Sequence, residues 1–315
     1  MRFEPIATLS DKYTIEDRPM SYQDLLRISN DNFVEVCRSM CVANGVSKVA
    51  SAAVRQRFIW ILGAFESVDY ERLSVRAVYY RIVSLYGQPK TEKFYKLIQR
   101  ATASMRDYGL LPFSMISDGS RSLYENVTHE DKESFMAEMA ATYKKDMWQN
   151  SSERVIIVVE KQAMVDVLMP ICSKYGVGIL PSKGFNSKTA WYELMEKHID
   201  GTTLHLLLLT DYDTAGLEMD VGGMKAVAQH NKIGKVQVKR IGLTEDQINE
   251  MNLPTRDDKL DDGLRACELD AMTPVQARAL VEKEILPYVD SRQFRSLELI
   301  EAEERAGLEL LSFGS

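Results

Sequence analysis

The chain has 315 residues, 45% of them hydrophobic, which is enough apolar sequence for two packed domains and excludes a mostly disordered protein. Its net charge of −7 does not favour nucleic-acid binding by the surface as a whole, because phosphate binding depends on Lys and Arg. No run approaches the roughly 18 apolar residues of a membrane helix, and the N-terminus lacks a signal-peptide pattern. We therefore expect a cytoplasmic protein that does not contact a membrane, without a zinc site or a disulfide framework among its four scattered cysteines.

The N-terminal part of the chain predicts helices. Residues 1–50 are interpreted as a helical extension with one helix over Tyr22–Ala43, and Ser47–Ser67 as a second, amphipathic helix. Ser74 and Thr91 are predicted N-caps of the next two helices, and the segment after Gly109 is predicted to be extended. Three short helices followed by an extended ribbon favour a winged-helix (CAP-like) DNA-binding domain over residues 51–125.

Basic and aromatic residues alternate between Arg72 and Arg106, with Glu92 as the one acid in that run. Such a pattern is typical of a surface that meets a nucleic-acid backbone, and a solvated helical surface is an equally weighted alternative. The candidate DNA-binding residues are Arg76, Arg81, Lys90, Lys93, Lys96 and Arg100, together with Lys183 further along the chain.

After a polar connection over Ser117–Glu133 and a helix over Ser134–Met147, strands and helices alternate. The predicted strands are Val155–Val159, Gly178–Leu180, Leu204–Leu209 and Lys235–Ile241, and the helices between them Ala163–Tyr175, Ser187–Ile199 and Gly216–His230. This alternation predicts a central parallel sheet flanked by helices over residues 145–290, followed by a helical tail over 291–315. The fold class is therefore α/β plus α.

Three acids follow two of the predicted strands. Glu160 comes directly after Val155–Val159, and Asp211 and Asp213 come just beyond Leu204–Leu209. Ligands collect at the carboxyl ends of parallel strands, and alternate positions of an extended segment point the same way. Carboxylate oxygens suit Mg²⁺, which also removes the repulsion among the acids. An Asp-x-Asp pair by itself is more often a solvated strand end than a metal site. The additional acid at the end of the neighbouring strand makes the metal site the favoured interpretation.

The segments 158–168, 182–189 and 208–219 together resemble a Toprim domain, most closely that of the topoisomerase VI A subunit and its meiotic double-strand-break relatives. In those proteins a Glu follows the first strand, a Lys-Gly segment lies midway and an Asp-x-Asp-x-x-Gly follows a later strand. The matching residues here are Glu160, Lys183-Gly184, and Asp211, Asp213 and Gly216. The length of the chain fits the stand-alone members called Mini-A.

The same family carries an Arg four residues before the second Tyr of a pair, which here are Arg76, Tyr79 and Tyr80. By resemblance Tyr80 is the nucleophile. Residues i and i+4 lie one above the other on a helix, so Arg76 can reach a phosphate that Tyr80 attacks. Tyr79 lies about 100° around the helix and is expected to face the core.

The resemblance implies a DNA-cleaving transesterase of the type IIB topoisomerase A kind. It would form a 5′-phosphotyrosyl link to double-stranded DNA with Mg²⁺ bound by Glu160, Asp211 and Asp213, where Glu160 also serves in acid–base chemistry. Members act as homodimers in which the tyrosine of one protomer faces the Toprim site of the other, and some have a separate GHKL ATPase subunit. Localisation with the nucleoid follows from that activity. Two alternatives remain open: a magnesium-dependent Toprim hydrolase without a covalent intermediate, and a non-catalytic DNA-binding adaptor.

Overall fold

A computed structural model of the protein describes residues 21–46, 50–117, 128–181, 201–217, 235–257, 263 and 265–313. The chain divides into two compact units. The first comprises Met1–Asp118, Asp211–Gly216 and Leu243–Ala277, and the second comprises Gly119–Thr210, Leu217–Gly242 and Arg278–Ser315.

The first unit begins with two helices where the sequence predicted one. Helix α1 spans Tyr22–Arg27 and helix α2 spans Asn30–Ala43. The single-helix prediction is wrong because Ser29 adopts an extended conformation and its hydroxyl accepts a hydrogen bond from the backbone N–H of Asn32, which makes it an N-cap.

Helix α3 spans Arg55–Glu66, which is shorter than the predicted Ser47–Ser67 because a 3-10 turn over Ala52–Val54 precedes it. Its apolar side supplies much of the core of the first unit. The buried side chains there include Phe58, Ile61, Leu62, Phe65, Val78, Ile82, Ile98, Met105 and Leu111.

Both predicted N-caps on the next two helices are confirmed. Helix α4 spans Val75–Tyr86, and the Ser74 side chain accepts from the backbone N–H of Ala77. Helix α5 spans Glu92–Asp107, and the Thr91 side chain accepts from Phe94 in the same way. These caps satisfy backbone donors that a helix leaves unpaired at its first turn.

Strand β1, Leu73–Ser74, pairs in parallel with strand β2, Ile116–Ser117. The residues before β2, Phe113–Met115, form a 3-10 turn, so the prediction of a continuous extended segment after Gly109 is wrong. Most of the predicted connection over Ser117–Glu133, at residues 118–127, lies outside the described residues.

The second unit contains a four-stranded parallel sheet flanked by helices, so the fold is mixed α/β as predicted. Its strands are β3 (Glu153–Val159), β4 (Gly178–Pro181), β5 (Thr203–Leu209) and β6 (Lys235–Gly242), in the order β4-β3-β5-β6. The two central strands β3 and β5 are buried over most of their length, as expected of strands covered on both faces, whereas the edge strand β6 alternates exposed and less exposed positions before its buried end.

Helices α6 (Lys132–Thr142) and α7 (Ala163–Tyr175) belong to this unit, and α7 matches its prediction. The predicted helices Ser187–Ile199 and, beyond residue 217, Gly216–His230 lie outside the described residues. Helix α8 (Glu245–Glu250) and the antiparallel pair of β7 (Arg256–Asp257) with β8 (Arg265–Ala266) belong to the first unit.

The C-terminal region forms α9 (Pro274–Ile285) and α10 (Ser291–Phe313), interrupted by a 3-10 turn at Leu286–Tyr288. Helix α10, predicted as a tail, packs against α6, and its Glu301 accepts hydrogen bonds from Lys144 and Lys145. Among the described residues, no helix is both long enough and apolar enough to span a membrane.

Candidate active site

Helix α4 positions Arg76 and Tyr80 one turn apart. The Ser74 hydroxyl accepts from the Ala77 backbone at 3.0 Å and donates to the Asp270 carboxylate at 2.8 Å, so both a local cap and a distant acid fix the start of the helix. Gly87 ends the helix in the left-handed conformation, with φ of 59°, which glycine adopts without strain. Both ends of α4 are therefore fixed, and with them the positions of Arg76 and Tyr80 on the helix.

The structure buries both tyrosines of the pair. Tyr79 faces the core as predicted and packs against Phe94 and Tyr95 of α5. Tyr80 is only 2% exposed, and its ring meets that of Tyr79 edge to face at 5.1 Å. Arg76 differs, because its side chain is 47% exposed. Of the predicted pair, the arginine is thus open to solvent and the tyrosine is covered.

Glu268 is the residue of this site that the sequence interpretation missed. Its Oε1 accepts a hydrogen bond from Nη2 of Arg76 at 2.6 Å, and its Oε2 lies 2.5 Å from Nε of the same guanidinium in an ion pair. The Glu268 side chain is 5% exposed, and Nε of Arg256 lies 3.7 Å from its Oε1. A signal was present in the sequence: Glu268 and Asp270 interrupt a run of apolar residues over 266–272.

The Glu268 carboxylate raises the pKa values of both Arg76 and Tyr80. Burial lowers the pKa of Arg76, but the hydrogen bond and charge of Glu268 outweigh it and raise that pKa above its usual value. Burial raises the pKa of the Tyr80 phenol, Glu268 raises it further, and Arg76 opposes the change. In this structure Tyr80 is a neutral phenol at physiological pH.

Lys90, predicted to bind DNA, lies beside Tyr80. Its ammonium group is 4.8 Å from the centroid of the Tyr80 ring and donates to the Pro254 carbonyl at 3.0 Å. Burial lowers the pKa of Lys90 to about 8, and the charges of Cys267 and Glu268 oppose this shift. Lys90 therefore forms part of the surroundings of Tyr80.

The predicted Asp-x-Asp pair is held by backbone and side-chain donors of the first unit. Asp211 is buried and accepts from the backbone N–H of Leu269 at 2.7 Å. Asp213 accepts from the backbone of Gly216 at 2.9 Å and lies 3.4 Å from Nη2 of Arg256. A Cβ atom on Gly216 would lie 2.2 Å from the Asp211 carbonyl oxygen, so the turn requires glycine.

The residue between the two aspartates connects them to the Glu268 segment. The backbone of Tyr212 exchanges two hydrogen bonds of 2.8 Å with that of Cys267. The residues that follow Cys267 bind Arg76 through Glu268, Asp211 through the Leu269 backbone, and Ser74 through Asp270. One short segment thus contacts both the predicted nucleophile helix and the predicted metal-binding turn.

Glu160 lies in the second unit, at the carboxyl end of β3, where its backbone N–H donates to the Leu209 carbonyl at 3.2 Å. Asp211 and Asp213 follow β5 and belong to the first unit. Across the described residues, no group of three or more His, Cys, Asp or Glu side chains is arranged to hold a metal. The two aspartates supply carboxylate oxygens of the kind that Mg²⁺ prefers, so their chemistry fits this ion. Arg256 is a competing charge beside Asp213.

The remaining predicted DNA-binding residues occupy different surroundings. Lys93, Lys96 and Arg100 are exposed on the side of α5 away from buried Phe94 and Ile98. Arg81 donates to the Ser67 hydroxyl at 3.1 and 3.3 Å, and Lys183 lies outside the described residues. The structure therefore brings three of the predicted basic residues together as one exposed row.

Comparison of the chain with protein-family models, with curated proteins and with solved structures finds no significant match.

Proposed function

We propose that the protein is a magnesium-dependent DNA-cleaving transesterase with Tyr80 as its nucleophile. The observation that carries the proposal is that Arg76 and Tyr80 share one turn of α4, while the segment that binds Arg76 also binds Asp211. A phosphate-binding cation, a phenol and a pair of magnesium-type ligands thus belong to one unit of the chain. The resemblance to Toprim-containing topoisomerase A subunits supplies the reaction type.

In the proposed reaction the Tyr80 oxygen forms a bond to the phosphorus of a DNA phosphodiester, and the bond from phosphorus to the 3′ oxygen breaks. The phenolic proton ends on the released 3′ hydroxyl, and the 5′ phosphate remains attached to Tyr80. Arg76 stabilises the negative charge that develops on the phosphate oxygens. Because the phenol is buried and its pKa is raised, the side chain must become accessible to DNA before it can react.

Asp211 and Asp213 would hold the metal, with Glu160 as the further ligand or acid–base group that the resemblance implies. Mg²⁺ bound there supplies Lewis-acid stabilisation of charge on the phosphate, which is worth several kcal/mol in metal-dependent phosphate chemistry. Lys93, Lys96 and Arg100 would contact the DNA backbone. One chain carries one Arg76–Tyr80 pair and cuts one strand, so a double-strand break requires a homodimer. A separate GHKL ATPase would be required for strand passage.

A magnesium-dependent hydrolase is the second candidate, and the 2% exposure of Tyr80 favours it, because a buried tyrosine fits a structural role. Denaturing gel electrophoresis of end-labelled duplex DNA separates the two activities. We expect wild-type protein with Mg²⁺ to shift label to a protein-linked species that protease treatment removes, Tyr80→Phe to abolish it, and Tyr79→Phe to retain it. Free cleaved ends that persist in Tyr80→Phe would establish the hydrolase instead.

The non-catalytic adaptor is tested by the same assay with Asp211→Ala. An adaptor binds DNA without Mg²⁺, produces no cleavage and is indifferent to this substitution. Magnesium-dependent cleavage that is lost in Asp211→Ala would exclude it.

A further inference from the structure

We propose that Glu268 is a positioning residue for the proposed transesterase, holding the Arg76 guanidinium in the orientation that meets the scissile phosphate. This inference rests on the proposed function. It concerns a residue outside the Arg–Tyr and acidic motifs, and it follows from the contacts of the first unit.

The Arg76 and Glu268 side chains differ in solvent exposure, and this difference shows which of the two supports the other. The Glu268 side chain is 5% exposed and the Arg76 side chain 47% exposed, so the carboxylate is the buried partner of the pair and the arginine is the solvent-accessible one. Glu268 accepts a hydrogen bond from Nη2 of Arg76 and lies 2.5 Å from its Nε. Because a guanidinium is a rigid plane of five N–H donors, contacts at two of its nitrogens fix the direction of the remaining donors.

Glu268 is itself held from several directions. Nε of Arg256 approaches its Oε1 at 3.7 Å. The backbone of the next residue, Leu269, is bound to Asp211 at 2.7 Å, and the side chain of Asp270 is bound to the α4 cap at 2.8 Å. A carboxylate on such a constrained segment has little freedom, which is what accurate orientation of a partner requires.

The position between two arginines argues against Glu268 as a general base. Arg76 contacts both of its carboxylate oxygens and Arg256 approaches one of them, so neither oxygen is open to a reacting proton. A carboxylate engaged in this way is suited to orientation of its partner. The expected consequence is that loss of its charge misplaces Arg76 without unfolding the site, since Gln retains the shape of Glu.

The first test uses NMR to measure how firmly the Arg76 side chain is held, and it does not require DNA cleavage. In protein labelled with ¹⁵N-arginine, the Nε–H resonance of Arg76, identified by its absence in Arg76→Lys, is expected to be protected from solvent exchange. Glu268→Gln, which removes the charge and one of the two acceptor oxygens, should reduce that protection. Glu301→Gln, which alters a buried acid paired with Arg305 in the second unit, is the matched control and should leave it in place. Unchanged protection in Glu268→Gln would overturn the inference.

The second test measures the rate of protein–DNA adduct formation at saturating DNA, divided by the fraction of the protein that is folded. We expect Glu268→Gln to lower this rate roughly 10- to 100-fold, the effect of a misplaced catalytic group, with a much smaller change in DNA affinity. In an Arg76→Lys background the same change should have little further effect, because the residue it positions is gone.

The inference would be overturned if Glu268→Gln left the rate per folded molecule unchanged. It would also be overturned if Glu268→Gln and Arg76→Lys each lowered the rate by the same factor in the double variant as alone, because Glu268 would then be a structural residue only. If the wild type forms no adduct at all, the proposed function fails, and the Arg76 resonance alone decides whether Glu268 orients this arginine. The failures of the two proposals are therefore distinguishable.

Discussion

The hydroxyl of Ser74 donates a hydrogen bond of 2.8 Å to the carboxylate of Asp270, 196 positions later in the chain. The same hydroxyl accepts from the backbone of Ala77 and caps α4. A single side chain therefore starts the helix that carries Arg76 and Tyr80 and joins that helix to the segment that binds Asp211.

Loss of this hydroxyl should destabilise the protein more than loss of an ordinary cap. We expect Ser74→Ala to lower the free energy of unfolding by about 2 kcal/mol, because both the cap and a partner of a buried acid are removed. Thr91→Ala, which removes the cap of α5 alone, should cost about 1 kcal/mol. Urea denaturation of the two variants measures the difference, and equal losses would contradict a structural role for the contact with Asp270.

Gly216 should not tolerate a side chain. A Cβ atom there would meet the backbone carbonyl oxygen of Asp211 at 2.2 Å, and a backbone atom cannot move aside as a flexible side chain can. We expect Gly216→Ala to destabilise the protein by about 2–3 kcal/mol and to disturb the turn between Asp211 and Asp213. Thermal unfolding and magnesium-dependent cleavage measure both effects.

Gly307 provides the matched control for that substitution, because no atom lies within 4 Å of a Cβ built there. It lies inside α10, where alanine is the better helix former, so Gly307→Ala should raise stability by about 0.5–1 kcal/mol. A neutral result at Gly216 would mean that the turn adopts another conformation.

Lys90 should give the protein a characteristic pH dependence. Burial lowers its pKa from 10.5 to about 8 in the folded state, so between these pH values the unfolded chain binds more protons than the folded one. The contribution of Lys90 to stability should therefore increase as the pH rises from about 8 to about 10.5.

The difference in unfolding free energy between wild type and Lys90→Met reports the titration of Lys90 and its coupling to its neighbours, because the titrations of groups distant from Lys90 are common to both proteins. The difference should shift in favour of the wild type across this alkaline range. Lys93→Met, at an exposed position of α5, is the control and should give a flat difference. A flat profile for Lys90→Met would show that its ammonium group is solvated.

The exposed row of Lys93, Lys96 and Arg100 should contribute to DNA affinity through phosphate contacts. Each contact releases about 0.9 counterion from duplex DNA, so replacing all three by Ala should reduce the slope of log K against log salt by up to about 3. Fluorescence anisotropy with a labelled duplex at several salt concentrations measures the slope. The triple variant Lys283→Ala, Arg292→Ala, Arg295→Ala removes three exposed charges from α9 and α10, and it should leave the slope unchanged.

Local chemistry made much of the fold predictable. Ser74 and Thr91 cap their helices as predicted, because the capping bond joins residues three apart and depends only on local sequence. The apolar runs of β3 and β5 predicted central parallel strands, since only a sheet covered on both faces accepts them. The break at Ser29 was missed because the apolar periodicity continues across it.

The sequence by itself determined the caps, the alternation of strands and helices, and the candidate residues Arg76, Tyr80, Glu160, Asp211 and Asp213. Only the tertiary structure decided that Glu268 binds Arg76 and that Lys90 lies against Tyr80, since the first pair is 192 positions apart in the chain. It also decided that Tyr80 is buried. Tyr79 packs against α5, and α4 also contacts the 3-10 turn at Leu269–Ala271, so two separate parts of the chain pack on α4. Periodicity within one helix cannot reveal a neighbour that arrives from the other end of the chain.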